Sequence, residues 1–266
     1  MRTCLLRISI LLFMLTIANN IQAQKDIIIN DSLAVNSEKL KVKMGTQGLG
    51  KIWKFQFGNY AVISSKAGWT TASTKGNFFN TKTESKSTKK FSFLMTNKIN
   101  DTARVNAANN IETQSSSSWL HEFEIFSNID FESDKLLQAT QNFSAYITIN
   151  GDTSEIWALL MNIIGGSNTQ GSYDALLTNG ERKIFVTPAS SNKNGSDTRS
   201  YPALGYEFIE NGQSLSALQY YGGGMMGLNK NIVWIHNSLD EKVKLILAAA
   251  STAILQTKAD SYQEKL

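Results

Sequence analysis

Between Val243 and Leu255 the chain reads VKLILAAASTAIL, and from Leu245 onward its polar side chains are Ser251 and Thr252. A stretch that is apolar nearly all round differs from a surface helix, which carries one greasy stripe. The spacing predicts a helix over about 239–257. Ser238-Leu239-Asp240-Glu241 reads as a capping box, with Ser238 at the N-cap, Glu241 three residues on, and two acids at the positive end of the dipole. The hydroxyls of Ser251 and Thr252 are expected to bond back to helix carbonyls. At 1.5 Å per residue such a rod is ~25 Å long, short for a membrane span and suited to the depth of a domain. Every face of it must be covered by the rest of the chain.

The rest of the chain reads as strands. Short period-two segments recur from Lys51 onward: Lys51–Phe57, Tyr60–Ser64, Phe91–Thr96, Trp119–Phe126, Phe143–Ile149, Ile156–Met161, Lys183–Thr187, Gly205–Ile209, Leu215–Tyr221 and Ile232–His236. Asn150-Gly151-Asp152 and Asn211-Gly212 are hairpin turn signals. The polar stretches 70–90, 106–118, 165–174 and 189–200 read as loops. A chain of 266 residues with 42% hydrophobic content has ample core for one large β domain. The fold class is therefore mainly β, a closed antiparallel barrel of about a dozen strands surrounding a buried hydrophobic C-terminal helix.

Residues 1–23 read as a secretory signal, with Arg2 and Arg7 in the positive region, an apolar run to Ile17, and Ala23 before the cut. The uncharged run from Ile8 to Ala18 is too short to cross a hydrocarbon core of ~30 Å. An exported chain, periplasmic or extracellular, with no transmembrane segment after cleavage is expected. Loss of Arg2 and Arg7 halves the formal net charge of +4, so global charge does not argue for nucleic acid. The one cysteine, Cys4, leaves with the signal, and core burial rather than disulfides must stabilise the remainder. Residues 24–40 are expected as an N-terminal extension and 41–266 as a single barrel domain.

The terminal stretch Ile232–Leu255, a strand ending near Trp234, a capped turn and then an apolar helix, resembles the tubby-like superfamily. The strand Leu204–Phe208, the hairpin into Leu215–Tyr221 and the paired-strand opening around Gly50–Val62 fit the same layout. The resemblance implies a barrel of about a dozen strands wrapped around the helix, as in tubby C-terminal domains and phospholipid scramblases. It also implies a lipid-facing protein, with no binding residue transferred.

Catalytic and nucleotide motifs fail on context. Gly45–Lys51 matches the start of a phosphate-binding loop, but Ile52 stands where a Mg²⁺-binding hydroxyl belongs and a strand pattern follows. Gly222–Gly227 satisfies G-x-G-x-x-G yet leads into another strand. His121 shares a strand face with Trp119 and Phe123, whereas Glu122 and Glu124 point the other way, ~7 Å apart along the strand. His236 shares a face with Trp234 and Ile232. An envelope hydrolase using Glu122, Glu124 or His121 is the enzymatic alternative, and the polar face of one strand accounts for the two carboxylates more simply. No catalytic residue, metal ligand or cofactor is assigned, and the chain reads as non-enzymatic.

The remaining candidate is electrostatic. Lys75, Lys82, Lys86, Lys89 and Lys90 lie close together, opposed by Glu84 alone and flanked by Phe78 and Phe79. A lysine-rich loop of this kind is expected to rest on anionic lipid or an envelope polyanion, each lysine adding ~1 kcal/mol. The alternative partner is another envelope protein, with the lysines serving as a solvated surface.

Overall fold

The computed structural model describes residues 26–76, 83–115, 136–166, 169–192, 202–222 and 231–263. The strands are β1 (Ser37–Lys41), β2 (Lys43–Met44), β3 (Phe55–Phe57), β4 (Tyr60–Ala67), β5 (Thr71–Gly76), β6 (Thr83–Thr96) and β7 (Thr102–Ser115). They continue as β8 (Leu136–Ile149), β9 (Trp157–Gly166), β10 (Thr169–Thr178), β11 (Lys183–Ser190), β12 (Leu204–Glu210), β13 (Gln213–Tyr221) and β14 (Ile232–His236). A short helix α1 (Asp31–Asn36) precedes β1, and α2 (Glu241–Gln263) ends the described chain.

Thirteen strands run antiparallel in the order β1-β14-β13-β12-β11-β10-β9-β8-β7-β6-β4-β3-β2, and β5 adds to β6. The two ends of that order are β1 and β2, which Val42 alone separates in the chain. One continuous segment therefore pairs with β14 at Ser37–Lys41 and with β3 at Lys43–Met44, and the Val42 amide donates to the Asn231 carbonyl at 2.9 Å. This crossing makes the barrel nearly closed, which leaves few sheet edges exposed.

Helix α2 lies inside. It contacts β7 and β8 on one side and β13 and β14 on the other, pairs about half the ring apart. Leu245 to Leu255 is buried without a break, the sequence expectation in physical form. The buried faces of β7 and β8, the strands nearest the helix, carry small side chains at Ala103, Ala107 and Ala145 among larger ones at Val105, Phe143 and Ile147. Thr252 and Thr257 donate to the Ala248 and Ala253 carbonyls, at 2.9 and 3.0 Å. Ser251 differs from expectation: its buried hydroxyl has no hydrogen-bond partner among the described residues.

The helix start also differs. Its cap is Asp240, whose carboxylate accepts from the Val243 amide at 2.8 Å, and α2 begins at Glu241 and runs on to Gln263. Ser238 is not the cap; its amide and hydroxyl both meet His236 Nδ1, at 3.2 and 2.9 Å. A carboxylate adjacent to the first turn satisfies an orphan amide and the dipole together, so it displaces a hydroxyl two residues earlier.

Residues expected as an extension ahead of the barrel contribute to it. β1 joins the sheet, and Ile27 and Leu33 cover the outer side of β13 and β14 in a second cluster with Ala203, Ala217, Ile232 and Trp234. Strand β14 is thus buried on both faces, with Val233 and Ile235 in the main core, which is why it reads as an unbroken apolar string.

Two turns match expectation. Asn150 and Gly151 (φ 52° and 75°), and Asn211 and Gly212 (φ 50° and 77°), take the left-handed conformations of tight hairpins. The stretches 70–90, 106–118 and 165–174, expected as loops, are largely strand in β5, β6, β7 and β10. Their Ser, Thr, Asn and Lys content hides the period, and pairing with neighbouring strands, on both sides for β6 and β7, satisfies the backbone regardless. The strand expected at Trp119–Phe126 lies outside the described residues.

Candidate functional site

Strands β6, β7 and β8 alternate where they pass the core, and β4 does so on either side of an irregularity between Val62 and Ser64. Phe91, Phe93 and Met95 of β6 point into the core, so Lys90, Ser92 and Leu94 point out. Register then aligns the outward residues in rows across the sheet. Lys66 faces Ser92, Ser92 faces Asn106, and Asn106 faces Tyr146. In the neighbouring row Lys90 faces Ala108 and Ala108 faces Ser144.

Between these rows runs an open groove of about 390 Å³, lined by Lys66, Gly68, Lys90, Ser92, Asn106, Ala108, Ser144 and Tyr146 among others. Small side chains at Gly68, Ser92, Ala108 and Ser144 keep its floor low, and two lysines and a tyrosine form its walls. Among the described residues, none that lines it is acidic. Arg104, outward and exposed, stands two residues from Asn106 on the same strand, ~7 Å away. Lys66, Lys90 and Arg104 make no ion pair among the described residues. The groove lining thus offers two ammonium groups, the hydroxyls of Ser92, Ser144 and Tyr146 and the Asn106 amide, donors suited to the acceptor oxygens of a phosphate, sulfate or carboxylate.

Of the five lysines singled out in the sequence, the four described, Lys75, Lys86, Lys89 and Lys90, lie on strands β5 and β6 and face different partners. Lys75 is exposed on β5 opposite Glu84. Lys86 is exposed on β6 and paired with Glu112 at 3.0 Å. Lys89 points inward, 21% exposed, with its ammonium 2.8 Å from the buried Asp260 carboxylate; its charge is already neutralised, which corrects its assignment to the outer surface. Lys90 reaches the groove. Lys82, Phe78 and Phe79 lie outside the described residues. Strand alternation divides residues that are neighbours in sequence, so Lys89 and Lys90 answer to different partners. Lys66, Ser92, Asn106, Ser144 and Tyr146 were not foreseen. Alternation alone marks them as outward, and only the strand register brings them together.

Past Phe91 and Ala107, toward the end of α2, the barrel interior turns polar. Asp260 accepts from Gln256 Nε2 at 2.7 Å, and Gln256 Oε1 accepts from the Trp53 amide at 3.0 Å. Gln141 donates to Asn109 at 3.0 Å. Nearby the Lys258 ammonium stands 5.5 and 4.8 Å from the Tyr206 and Tyr220 ring centroids, and burial pushes the Tyr220 hydroxyl well above its ordinary pKa. At the far end of the helix, burial and then the Glu241 charge raise Tyr60 to about 12.

Residues 45–51 form a turn leading to β3 rather than a helix, so they build no phosphate-binding loop. His121, Glu122 and Glu124 lie outside the described residues, as does most of Gly222–Gly227. His236 bonds Ser238 two positions on, within the turn before α2. Among the described residues, no group of three His, Cys, Asp or Glu is placed to hold a metal ion, and no helix is long and apolar enough to cross a membrane. Comparisons with protein-family models, curated proteins and solved structures return no match.

Proposed function

We propose that this chain is a non-enzymatic binding module, exported by its N-terminal signal, that engages an anionic lipid or envelope polyanion through the outer face of β4, β6, β7 and β8. The observation that supports this reading is the groove in which Lys66 and Lys90, without an ion pair or a lining acid among the described residues, stand beside Ser92, Asn106 and Ser144. Strong cationic donors over a neutral, hydrogen-bonding floor favour anions carrying several acceptor oxygens. The nearly closed sheet around an apolar helix is also what the tubby-like resemblance implies, and kinship with that superfamily belongs to the same proposal.

The test uses phosphatidylglycerol vesicles in flotation and an immobilised sulfated polysaccharide, each at low and high salt. Binding at low salt and release at high salt is expected to at least one of them. At ~1 kcal/mol per lysine, the double variant Lys66→Gln/Lys90→Gln loses roughly 30-fold in apparent affinity. Absence of binding to both matrices, or the same affinity in the double variant, overturns the proposal.

One feature favours a second reading, a protein partner in the envelope. Leu160, Leu176, Phe185 and Ile209 align in register across the outer face of β9–β12, and Leu160 and Phe185 are 43% and 55% exposed. A photo-crosslinker at position 185 that captures one defined protein in cells, with both anionic matrices unbound in vitro, supports it over the first.

A further inference from the structure

Two large apolar side chains, Leu49 and Trp69, stand in water on turns that a backbone hydrogen bond joins. Leu49 sits at the apex of the turn Gly48-Leu49-Gly50-Lys51, closed by the Lys51 amide donating to the Gly48 carbonyl at 3.1 Å. Gly50, at φ 65°, supplies the left-handed third position that such a turn requires. Leu49 is 100% exposed as a result. Trp69 is 92% exposed in the connection between β4 and β5. The Ala67 amide donates to the Gly50 carbonyl at 2.8 Å, and the Gly68 amide to the Lys90 carbonyl at 2.7 Å. These two bonds tie the Leu49 turn and the Trp69 turn to each other and to the cationic rim of the groove.

Isolated surface leucines are ordinary and carry no message. Here the leucine is joined by a tryptophan, and residues 45–54 and 64–70 contain Lys51, Lys54 and Lys66 but no acid. Apolar and indole tips beside exposed ammonium groups match the two layers of an anionic bilayer, hydrocarbon boundary and headgroup. A polyanionic glycan would use the lysines and leave Leu49 without a partner. The positive charge complements the leaflet, and the tips match the apolar depth beneath it.

We infer that the protein docks on anionic bilayers with Leu49 and Trp69 inserted at the headgroup–acyl boundary. This rests on the anionic-surface reading above and narrows it from polyanions in general to membranes.

The test mixes the full mature chain with phosphatidylglycerol/phosphatidylcholine vesicles whose acyl chains are brominated. Binding is expected to quench tryptophan emission, and Trp69→Phe to remove most of that quenching. Leu49→Ser/Trp69→Ser is expected to weaken vesicle binding by about 10-fold or more while leaving retention on the sulfated polysaccharide unchanged. Both positions are exposed, so an unaltered thermal melt establishes that the variants fold. Vesicle binding without quenching, or retention on the polysaccharide with no vesicle binding, overturns insertion and leaves the anionic-surface reading standing. Failure on both matrices overturns the two together.

Discussion

The two ends of the barrel solve one problem in different ways. Where α2 begins, the apolar interior is closed from outside by turns and ion pairs. Glu155 accepts from Trp157 Nε1 at 2.8 Å and from Asn179 at 3.2 Å, and it pairs with Lys242 of the helix. Arg182 grips Glu210 through two bonds of 2.8 and 2.7 Å, its guanidinium 5.6 Å from the Trp157 ring centroid. Where α2 ends, the strands continue and the closure comes from within, through Lys89, Asp260, Gln256 and Asn109. The first end is a rim of partly solvated charges. The second places a charged pair in the interior, near the terminus of a helix whose dipole disfavours an acid there. The groove and the Leu49 and Trp69 turns lie toward this second end, and the groove residues face outward from strands whose inward side chains, Phe91, Ala107 and Ala145, stay in the core. A surface free of packing duties can carry binding residues.

That contrast can be tested by substitution. The largest effect is expected between the two ends: Ala249 is fully buried, and Ala249→Asp places a carboxylate in the dry middle of the helix, costing several kcal/mol. A melting temperature within a degree or two of the parent would show that the helix is not enclosed. Next comes Asp260→Ala, which leaves Lys89 half-sheltered without its counter-ion and is expected to cost about 2 kcal/mol in urea unfolding, below the full buried-pair penalty because Lys89 retains some solvent. Lys89→Met/Asp260→Leu should recover most of that loss, whereas the same treatment of a rim pair recovers little.

At the other end Glu210→Gln removes a bidentate but partly solvated pair and is expected to cost about 1 kcal/mol. Its bond to Arg182 holds the Glu210 carboxyl below the ordinary glutamate range, and the bonds to Lys242 and Trp157 do the same for Glu155. Groups lowered in the folded state stabilise it above their unfolded pKa and lose that contribution as pH falls through the folded one. Melting temperature should therefore drop as pH falls below about 4.5, and less steeply in Glu155→Gln/Glu210→Gln. The smallest effect is expected for Lys86→Gln, on an exposed pair of the polar sheet: a few tenths of a kcal/mol and little change in vesicle binding.

Residues 245–255 announce the enclosed helix because an all-apolar rod has one kind of resting place. The strands with apolar alternation, such as Phe91–Thr96 and Phe143–Ile149, are legible for the same reason. Residues 83–90 and 108–115 are not, since Ser, Thr, Asn and Lys occupy both faces and give no period. The cap at Asp240 rather than Ser238 turns on a two-residue difference in where the first helical bond forms. The groove was legible only in part: Lys90 stood within the lysine cluster, whereas Lys66, Asn106 and Tyr146 lie on three other strands.

The sequence by itself determined that a greasy helix must be wrapped by strands, because hydrophobic burial depends on composition and local period. Only the tertiary structure decided which lysine faces water and which faces Asp260, and which outward side chains share a row. Those outcomes depend on strand register and ring closure. They are set by hydrogen bonds between residues far apart in the chain, and a one-residue slip exchanges inside for outside.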